Sequence, residues 1–114
     1  NENDFVGYEQ EKSEINFITR LNIVADLLFI KSNDKNIIKG NIVAIPNADP
    51  GFDWIFSHNI AGLVTQYGGV NSHMAIRCAE LSIPAAIGIG DKLYENLKEG
   101  RLILDCAKGY FKYV

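Results

Sequence analysis

The 114-residue sequence has few cysteines, no long apolar run and no excess of basic residues. Its two cysteines, Cys78 and Cys106, are too few for a disulfide scaffold and do not form a CxxC pair, so we expect both to be reduced and buried. No stretch approaches the roughly 18 apolar residues typical of a membrane span, and no cationic start precedes an apolar run as in a secretory signal. The formal net charge is -3, whereas proteins that bind nucleic-acid phosphates normally have a basic face. These absences argue against membrane and nucleic-acid partners.

The residues that are present have the composition of one globular domain. Hydrophobic residues make up 47% and charged residues 22% of the chain, close to the average for soluble domains, and a chain of this length can bury one core. Residues 1–21 are polar and charge-rich with scattered aromatics, which predicts a connector or N-terminal extension. Residues 22–114 have a tighter apolar pattern and predict the folded domain.

Apolar runs separated by turn residues predict a mixed α/β class. Strand-like runs occupy residues 23–30, 41–45, 60–65, 85–90, 101–105 and 110–114, and the polar residues 32–36 predict a turn. Helices are expected over residues 49–57, from near Ser72 to just before Pro84, and over residues 91–97. Pro50 suits the first turn of the first helix, whereas Asp91 and Gly100 are expected to cap and end the last one.

The segment QYGGVNSHMAI carries the strongest functional signal. A buried strand runs into Gly68 and Gly69, which let the backbone turn sharply and approach a ligand. A helix then begins near His73, and the N-terminus of a helix favours a bound anion such as phosphate. Either Asn71 or Ser72 can cap this helix and donate a hydrogen bond to that anion. The pattern therefore predicts a phosphate-binding loop.

His73 gives this loop a reactive group. An imidazole can act as nucleophile, acid, base or metal ligand, and covalent transfer through it divides one difficult displacement into two easier ones. The alternative, which spacing alone leaves open, is a polar surface histidine at a helix start. His73 and Cys78 do not make a zinc site, which needs four ligands, so no metal is expected. The other histidine, His58, is interpreted as a polar loop residue.

The run GGVNSHMAIRCAELSIPAAIG resembles the signature of the phosphohistidine swivelling (mobile) domain of the phosphoenolpyruvate (PEP)-utilizing enzymes, which reads G-G-x-T-S-H-x-A-I-x-A-R-x-x-x-I-P-A-x-x-G. The preceding IVAIPNADPGFDWIFSHNIAGLVTQ resembles the strand, D-P helix and second strand of that family, and the likeness covers residues 22–114. PEP synthase, pyruvate phosphate dikinase and rifampin phosphotransferase carry such a domain. The resemblance implies a swivelling β/β/α fold, with a mixed sheet and short helices packed on it.

The resemblance also implies a function. His73 aligns with the histidine that carries a phosphoryl group, Gly68 and Gly69 align with the glycines that shape the loop, and Ser72 aligns with the serine beside the histidine. The family domain shuttles phosphate between an ATP-grasp nucleotide site and a site for pyruvate, PEP or another acceptor. Both sites lie on other domains of the parent protein, which also hold Mg²⁺ and ATP, so this domain is expected to hold no cofactor. We therefore expect a fragment of a larger cytoplasmic phosphotransferase that does not turn over alone.

Two of the departures from the family pattern bear on its chemistry. The family arginine six residues after the histidine falls on Ala79, which cannot pair with phosphate. Arg77, four residues after His73, lies on the histidine's own helix face and is a possible substitute. The family threonine two residues before the histidine is Asn71 here. Two alternatives therefore stay open: a carrier domain of a rifampin-phosphotransferase-like enzyme, or a diverged, non-catalytic interaction domain.

Overall fold

The structure, a computed structural model, describes residues 15–30 and 35–114. Within these residues the strands are β1 (Asn16–Ile18), β2 (Asn22–Phe29), β3 (Ile42–Ile45), β4 (Gly62–Thr65), β5 (Ala85–Ile87), β6 (Gly100–Asp105) and β7 (Tyr110–Tyr113). The α-helices are α1 (His73–Leu81) and α2 (Asp91–Glu95). Two 3-10 helices span Lys35–Ile38 and Pro50–His58; the second is called the Pro50 helix below.

The strands form one mixed sheet in the order β1-β5-β4-β3-β2-β6-β7. Strands β2, β3, β4 and β5 are parallel to one another, whereas β1 pairs with β5, and β6 with β2 and β7, in antiparallel fashion. The parallel pairs need crossover connections, and the Pro50 helix and α1 supply those between β3 and β4 and between β4 and β5. The predicted mixed α/β fold with short helices on the sheet is confirmed.

Alternation along the central strands gives the sheet two buried faces, because successive side chains of a strand point to opposite sides. Val43, Ile45 and Leu63 belong to the cluster that also contains Ile55 of the Pro50 helix. Helix α1 contributes to this same cluster through Met74, Ala75 and Cys78. The intervening residues of the strands belong to a second cluster, which includes Ile42, Ala44, Val64, Leu102 and Phe111. The Pro50 helix and α1 therefore share one face of the sheet.

Most predicted boundaries agree with the structure to within one or two residues, but three features differ. Strand β5 ends at Ile87 instead of residue 90, since Gly88 and Gly90 have positive φ angles of 76° and 91°. The predicted cap of α2 is wrong, because Gly90 occupies the N-cap position, without a side-chain hydrogen bond, and Asp91 lies inside the first turn. Gly100 begins β6 and does not end α2. The polar turn was expected at residues 32–36, of which 32–34 lie outside the described residues.

The described part of the expected connector contains an edge strand. Asn16 pairs with Ile87, and Ile18 with Ala85, so β1 extends the sheet beside β5. Residues 1–14 lie outside the described residues, and the division at residue 21 stays a prediction. Among the helices of residues 15–30 and 35–114, none is long and apolar enough to cross a membrane.

Both cysteines are free and buried, which confirms the interpretation of Cys78 and Cys106 as core thiols. Burial raises the pKa of each thiol to about 12. The thiolate, not the thiol, is the nucleophile, so neither side chain is reactive at neutral pH.

Candidate functional site

The loop between β4 and α1 holds the predicted strand–glycine–helix unit. Ser72 has an extended backbone conformation at the N-cap of α1, and its Oγ accepts a hydrogen bond from the backbone N–H of Ala75 at 3.4 Å. The same hydroxyl donates to the carbonyl oxygen of Gly69 at 2.7 Å. Ser72, and not Asn71, is therefore the cap, and its hydroxyl hydrogen stabilises the loop. Asn71 is exposed.

The two loop glycines have different surroundings. Gly68 has a φ of 134°, and a Cβ atom added there would lie 2.6 Å from the Cβ of Ala48. A side chain at residue 68 is thus excluded by both backbone conformation and packing. A Cβ atom at Gly69 would meet nothing within 4 Å. Gly68 therefore shapes the loop, whereas Gly69 leaves open space beside it.

His73 is the first residue of α1, and its side chain is 35% exposed. Its Nε2 lies 2.7 Å from Oδ1 of Asp53, a residue of the Pro50 helix. Asp49 caps that helix by accepting a hydrogen bond from the backbone N–H of Gly51 at 2.9 Å, and Pro50 follows it as predicted. The packing of the Pro50 helix and α1 on one sheet face brings this carboxylate to the imidazole.

Arg77 binds the same carboxylate oxygen. Its Nε donates to Oδ1 of Asp53 at 3.0 Å, its Nη1 donates to Glu80 at 3.3 Å, and its guanidinium lies 5.3 Å from the centre of the Phe56 ring. Arg77 thus lies on the same helix face as His73, as the four-residue spacing predicts. The residue that aligns with the family arginine, Ala79, is exposed. A role for Arg77 toward phosphate stays a prediction.

In the cluster of Asp53, His73 and Arg77, the carboxylate and the guanidinium carry opposite charges at neutral pH. The hydrogen bond from His73, and then that from Arg77, hold the pKa of Asp53 below its usual 3.8, although partial desolvation opposes them. The Arg77 pKa is raised, first by its hydrogen bond to Asp53 and then by that to Glu80. We name these three residues the histidine cluster.

Sequence reasoning missed Asp53. It lies 20 residues before His73, so no helix or strand period relates the two positions. The one available signal was its place in the D-P segment that resembles the family's helix, and that signal does not distinguish Asp53 from its neighbours. His58 is separate from the histidine cluster, as the last residue of the Pro50 helix, where its ring contacts Trp54 edge to face at 5.7 Å. In the described ranges no three His, Cys, Asp or Glu side chains come together as a metal site.

The lowered pKa of Asp53 gives the first prediction. We expect the Asp53 carboxyl to titrate below 3.8 by ¹³C NMR, and its midpoint to rise in Arg77→Gln and in His73→Ala, since each removes a donor to the ionised form. The ionised carboxylate therefore stabilises the fold above the unfolded pKa of about 3.9, and this contribution is lost as the pH falls through the lower folded pKa.

Arg101→Gln is the matched control for this titration, because Arg101 pairs with Asp26 at 3.3 Å on β2 and β6, away from the histidine cluster. It should leave the Asp53 midpoint unchanged. An Asp53 midpoint at or above 3.8 in the unsubstituted chain would contradict the hydrogen-bonded arrangement.

Known proteins are similar to this chain over most of its length. The family described as "PEP-utilising enzyme, mobile domain" matches residues 37–109. A phosphoenolpyruvate synthase of Aeropyrum pernix is 34% identical over 84 residues, or 72% of the chain, and one of Aquifex aeolicus is 35% identical over 91 residues, or 79%. A rifampicin phosphotransferase of Bacillus cereus is 30% identical over 86 residues, or 75%. The chain spans 10% of the length of each of these relatives.

The family match and the strand–glycine–helix unit agree, because residues 37–109 contain β3, the Pro50 helix, β4, α1 and β5 in the order that the family signature implies. They also contain the whole histidine cluster. The chain therefore belongs to the mobile-domain family of PEP-utilising enzymes.

Proposed function

We propose that this chain is a phosphoryl-carrier domain that accepts a phosphoryl group on His73. It would shuttle that group between an ATP-grasp nucleotide site and a site for pyruvate, PEP or another acceptor, both on other domains of a parent phosphotransferase in the cytoplasm. The observation that carries the proposal is the half-exposed imidazole at the first residue of α1, beside a carboxylate and a guanidinium. Relatives named phosphoenolpyruvate synthase and rifampicin phosphotransferase support it.

The imidazole supplies the nucleophile, and the surrounding groups supply positioning and charge. Phosphoryl transfer depends on holding the reactants in line and on stabilising charge on the equatorial oxygens. Three backbone N–H groups near the start of α1 are already used, since Ser72 donates to the Gly69 carbonyl, Met74 to the Ala48 carbonyl and Ala75 to the Ser72 hydroxyl. The cation nearest to this helix start in sequence is Arg77, one turn along α1. In this proposal Arg77, with the remaining loop N–H groups, stabilises the phosphoryl oxygens.

The surface near His73 suits a histidine that visits other domains. Val70 and Ile76 each lie three residues from His73, and their side chains are exposed, as is that of Tyr67 at the start of the loop. We expect these apolar side chains to contact the nucleotide-binding and acceptor domains in turn. ATP and Mg²⁺ would be held by those other domains, because this chain supplies the nucleophile and the groups that stabilise the phosphoryl oxygens.

The carrier role is tested by labelling the parent protein with ³²P from ATP or from PEP. The parent and its His58→Ala variant are expected to incorporate acid-labile, alkali-stable phosphate, whereas His73→Ala should incorporate none. His58 is the matched control, because it is the only other histidine of the chain. Labelling that survives in His73→Ala would falsify the assignment.

The acceptor is a separate question, because the relatives are named for two different reactions. Labelled parent protein is mixed with pyruvate or with rifampicin, and the loss of label to each small molecule is measured. Transfer to pyruvate identifies a synthase or dikinase type, and transfer to rifampicin identifies the antibiotic-phosphorylating type.

The exposed Ala79 at the family arginine position favours a second candidate, a non-catalytic interaction domain. A folded parent protein that takes label from neither donor would support that candidate.

A further inference from the structure

One oxygen atom holds the histidine cluster together. Oδ1 of Asp53 lies 2.7 Å from Nε2 of His73 and 3.0 Å from Nε of Arg77. Because both hydrogen bonds end on this atom, the distance between Nε2 of His73 and Nε of Arg77 cannot exceed the sum of the two hydrogen-bond distances. Any group attached to Nε2 therefore lies within reach of the guanidinium.

The same contact blocks Nε2 as a nucleophile. An ionised carboxylate can only accept hydrogen bonds, so the imidazole nitrogen that faces Asp53 carries a hydrogen atom. A ring nitrogen that carries hydrogen has no lone pair with which to attack phosphorus. Nε2 can therefore react only after the carboxylate has moved away and the ring proton has moved to Nδ1.

The side chains of Asp53 and Arg77 are not equally fixed. The guanidinium of Arg77 lies over the Phe56 ring of the Pro50 helix and also binds Glu80 of α1, so a cation–π contact and an ion pair hold it between the two helices. The hydrogen bonds found for the Asp53 side chain are those to His73 and Arg77, and this side chain is 43% exposed. Rotation of Asp53 into solvent thus breaks only these bonds, whereas Arg77 keeps its other contacts.

We propose that Asp53 and Arg77 form an exchange pair around His73: Asp53 holds Nε2 and Arg77 in the unphosphorylated domain, and Arg77 passes from Asp53 to the phosphoryl group once that group occupies Nε2. This inference rests on the carrier function proposed above. Arg77 thereby takes the place of the family arginine, whose position is occupied by Ala79 in this chain. Asp53 is a positioning residue that restrains the imidazole between transfers.

The transfer step balances as follows. Water moves the ring proton from Nε2 to Nδ1 while Asp53 rotates away. The Nε2 lone pair forms the N–P bond, the bond from phosphorus to the donor breaks, and its electron pair leaves with the donor. Arg77 then donates to phosphoryl oxygens, because the doubly charged group accepts stronger hydrogen bonds than a neutral one. Repulsion between the phosphoryl group and the carboxylate keeps Asp53 away.

Chemical phosphorylation tests this exchange without the other domains. The chain with His58→Gln is treated with phosphoramidate, whose N–P bond breaks to release ammonia. The rate is followed by ³¹P NMR, and the ring isomer by long-range ¹H–¹⁵N NMR. We expect phosphate on Nε2, a shifted Nε–H resonance of Arg77 in the phosphorylated chain, and about tenfold faster phosphorylation in Asp53→Ala because the block is removed. Asp53→Asn keeps the size of the side chain without its charge, and should also accelerate the reaction.

Arg77 variants test the other half of the exchange. Arg77→Gln is expected to shorten the phosphohistidine half-life about tenfold, since a charge-assisted hydrogen bond is lost from the phosphorylated state. Arg77→Lys should restore part of the lifetime, and Arg101→Gln should leave it unchanged. A merely structural role of either residue would alter unfolding without changing the isomer, the Arg77 resonance or the phosphohistidine lifetime.

The possible failures are distinguishable. Phosphate on Nδ1, with slower reaction in Asp53→Ala, would mean that Asp53 activates the opposite nitrogen, which overturns the exchange but keeps the carrier role. Phosphate on Nε2 with unchanged rates, lifetimes and Arg77 resonance also overturns the exchange alone. Both proposals are overturned if His73 takes phosphate neither from phosphoramidate in this chain nor from ATP or PEP in the parent protein.

Discussion

Replacing Gly88 with alanine is expected to lower the free energy of unfolding by about 3 kcal/mol, since overpacking costs about 1–3 kcal/mol and a left-handed backbone about 1–2 kcal/mol. An added Cβ atom would lie 2.3 Å from the carbonyl oxygen of Gly68. That neighbour is backbone, so it cannot move aside as the end of a flexible side chain would. The φ of Gly88, 76°, adds a conformational cost for any L-residue.

Gly40→Ala separates these two costs. Gly40 has a φ of 75°, almost the same as Gly88, but nothing lies within 4 Å of its added Cβ position. Gly40→Ala should therefore lower the free energy of unfolding by the backbone cost alone, about 1–2 kcal/mol. Urea unfolding of the two variants gives the difference directly. Equal losses in the two variants would show that the contact between Gly88 and Gly68 relaxes freely.

The contact between Gly88 and Gly68 also bears on the candidate site. Gly68 opens the loop that leads to His73, and Gly88 directly follows β5, so the two parallel strands β4 and β5 are joined where both end. An alanine at residue 88 would displace the start of the histidine loop. We thus attribute the need for glycine at residue 88 to loop placement.

The parts of the fold that the sequence predicts are those with local signals. Strands β3 and β4 are short, wholly buried apolar runs, which are typical of central parallel strands. Helix α1 begins where Ser72 can cap it and ends at Leu81, with Ser82 as its C-cap two residues before Pro84. Pro50 and Asp49 likewise mark the start of the Pro50 helix. Each of these features depends on residues within a few positions of one another.

The parts that the sequence does not predict depend on contacts between distant residues. Strand β1 is stabilised by pairing with β5, 69 positions away at Phe17 and Ala86, and its three residues have no pattern of their own. Asp53 becomes a partner of His73 only through the packing of two helices on one sheet face. The α2 cap was mispredicted because Asp91 has the right residue type, whereas backbone conformation places the cap at Gly90.

Thr65→Val is expected to lower the free energy of unfolding by about 2 kcal/mol, the cost of leaving a buried polar group without its partner. Thr65 is fully buried at the end of β4. Its hydroxyl donates to the carbonyl oxygen of Tyr67 and accepts from the backbone N–H of Gly88, each at 2.9 Å. Valine has nearly the same shape but has no hydroxyl, so the Tyr67 carbonyl loses this donor, whereas the backbone hydrogen bonds from Gly88 and Ile89 to the Thr65 carbonyl remain.

Thr65→Ser is the control, because serine keeps the hydroxyl and loses a methyl group, which costs about 0.8 kcal/mol of burial. Urea unfolding should thus rank the chains as unsubstituted, serine and valine, in order of decreasing stability. Amide hydrogen exchange should be faster across residues 66–72 in the valine variant than in the serine variant, since Thr65 fixes the start of the histidine loop. A valine variant at least as stable as the serine variant would show that packing of the methyl group, and not the hydroxyl link, holds this loop in place.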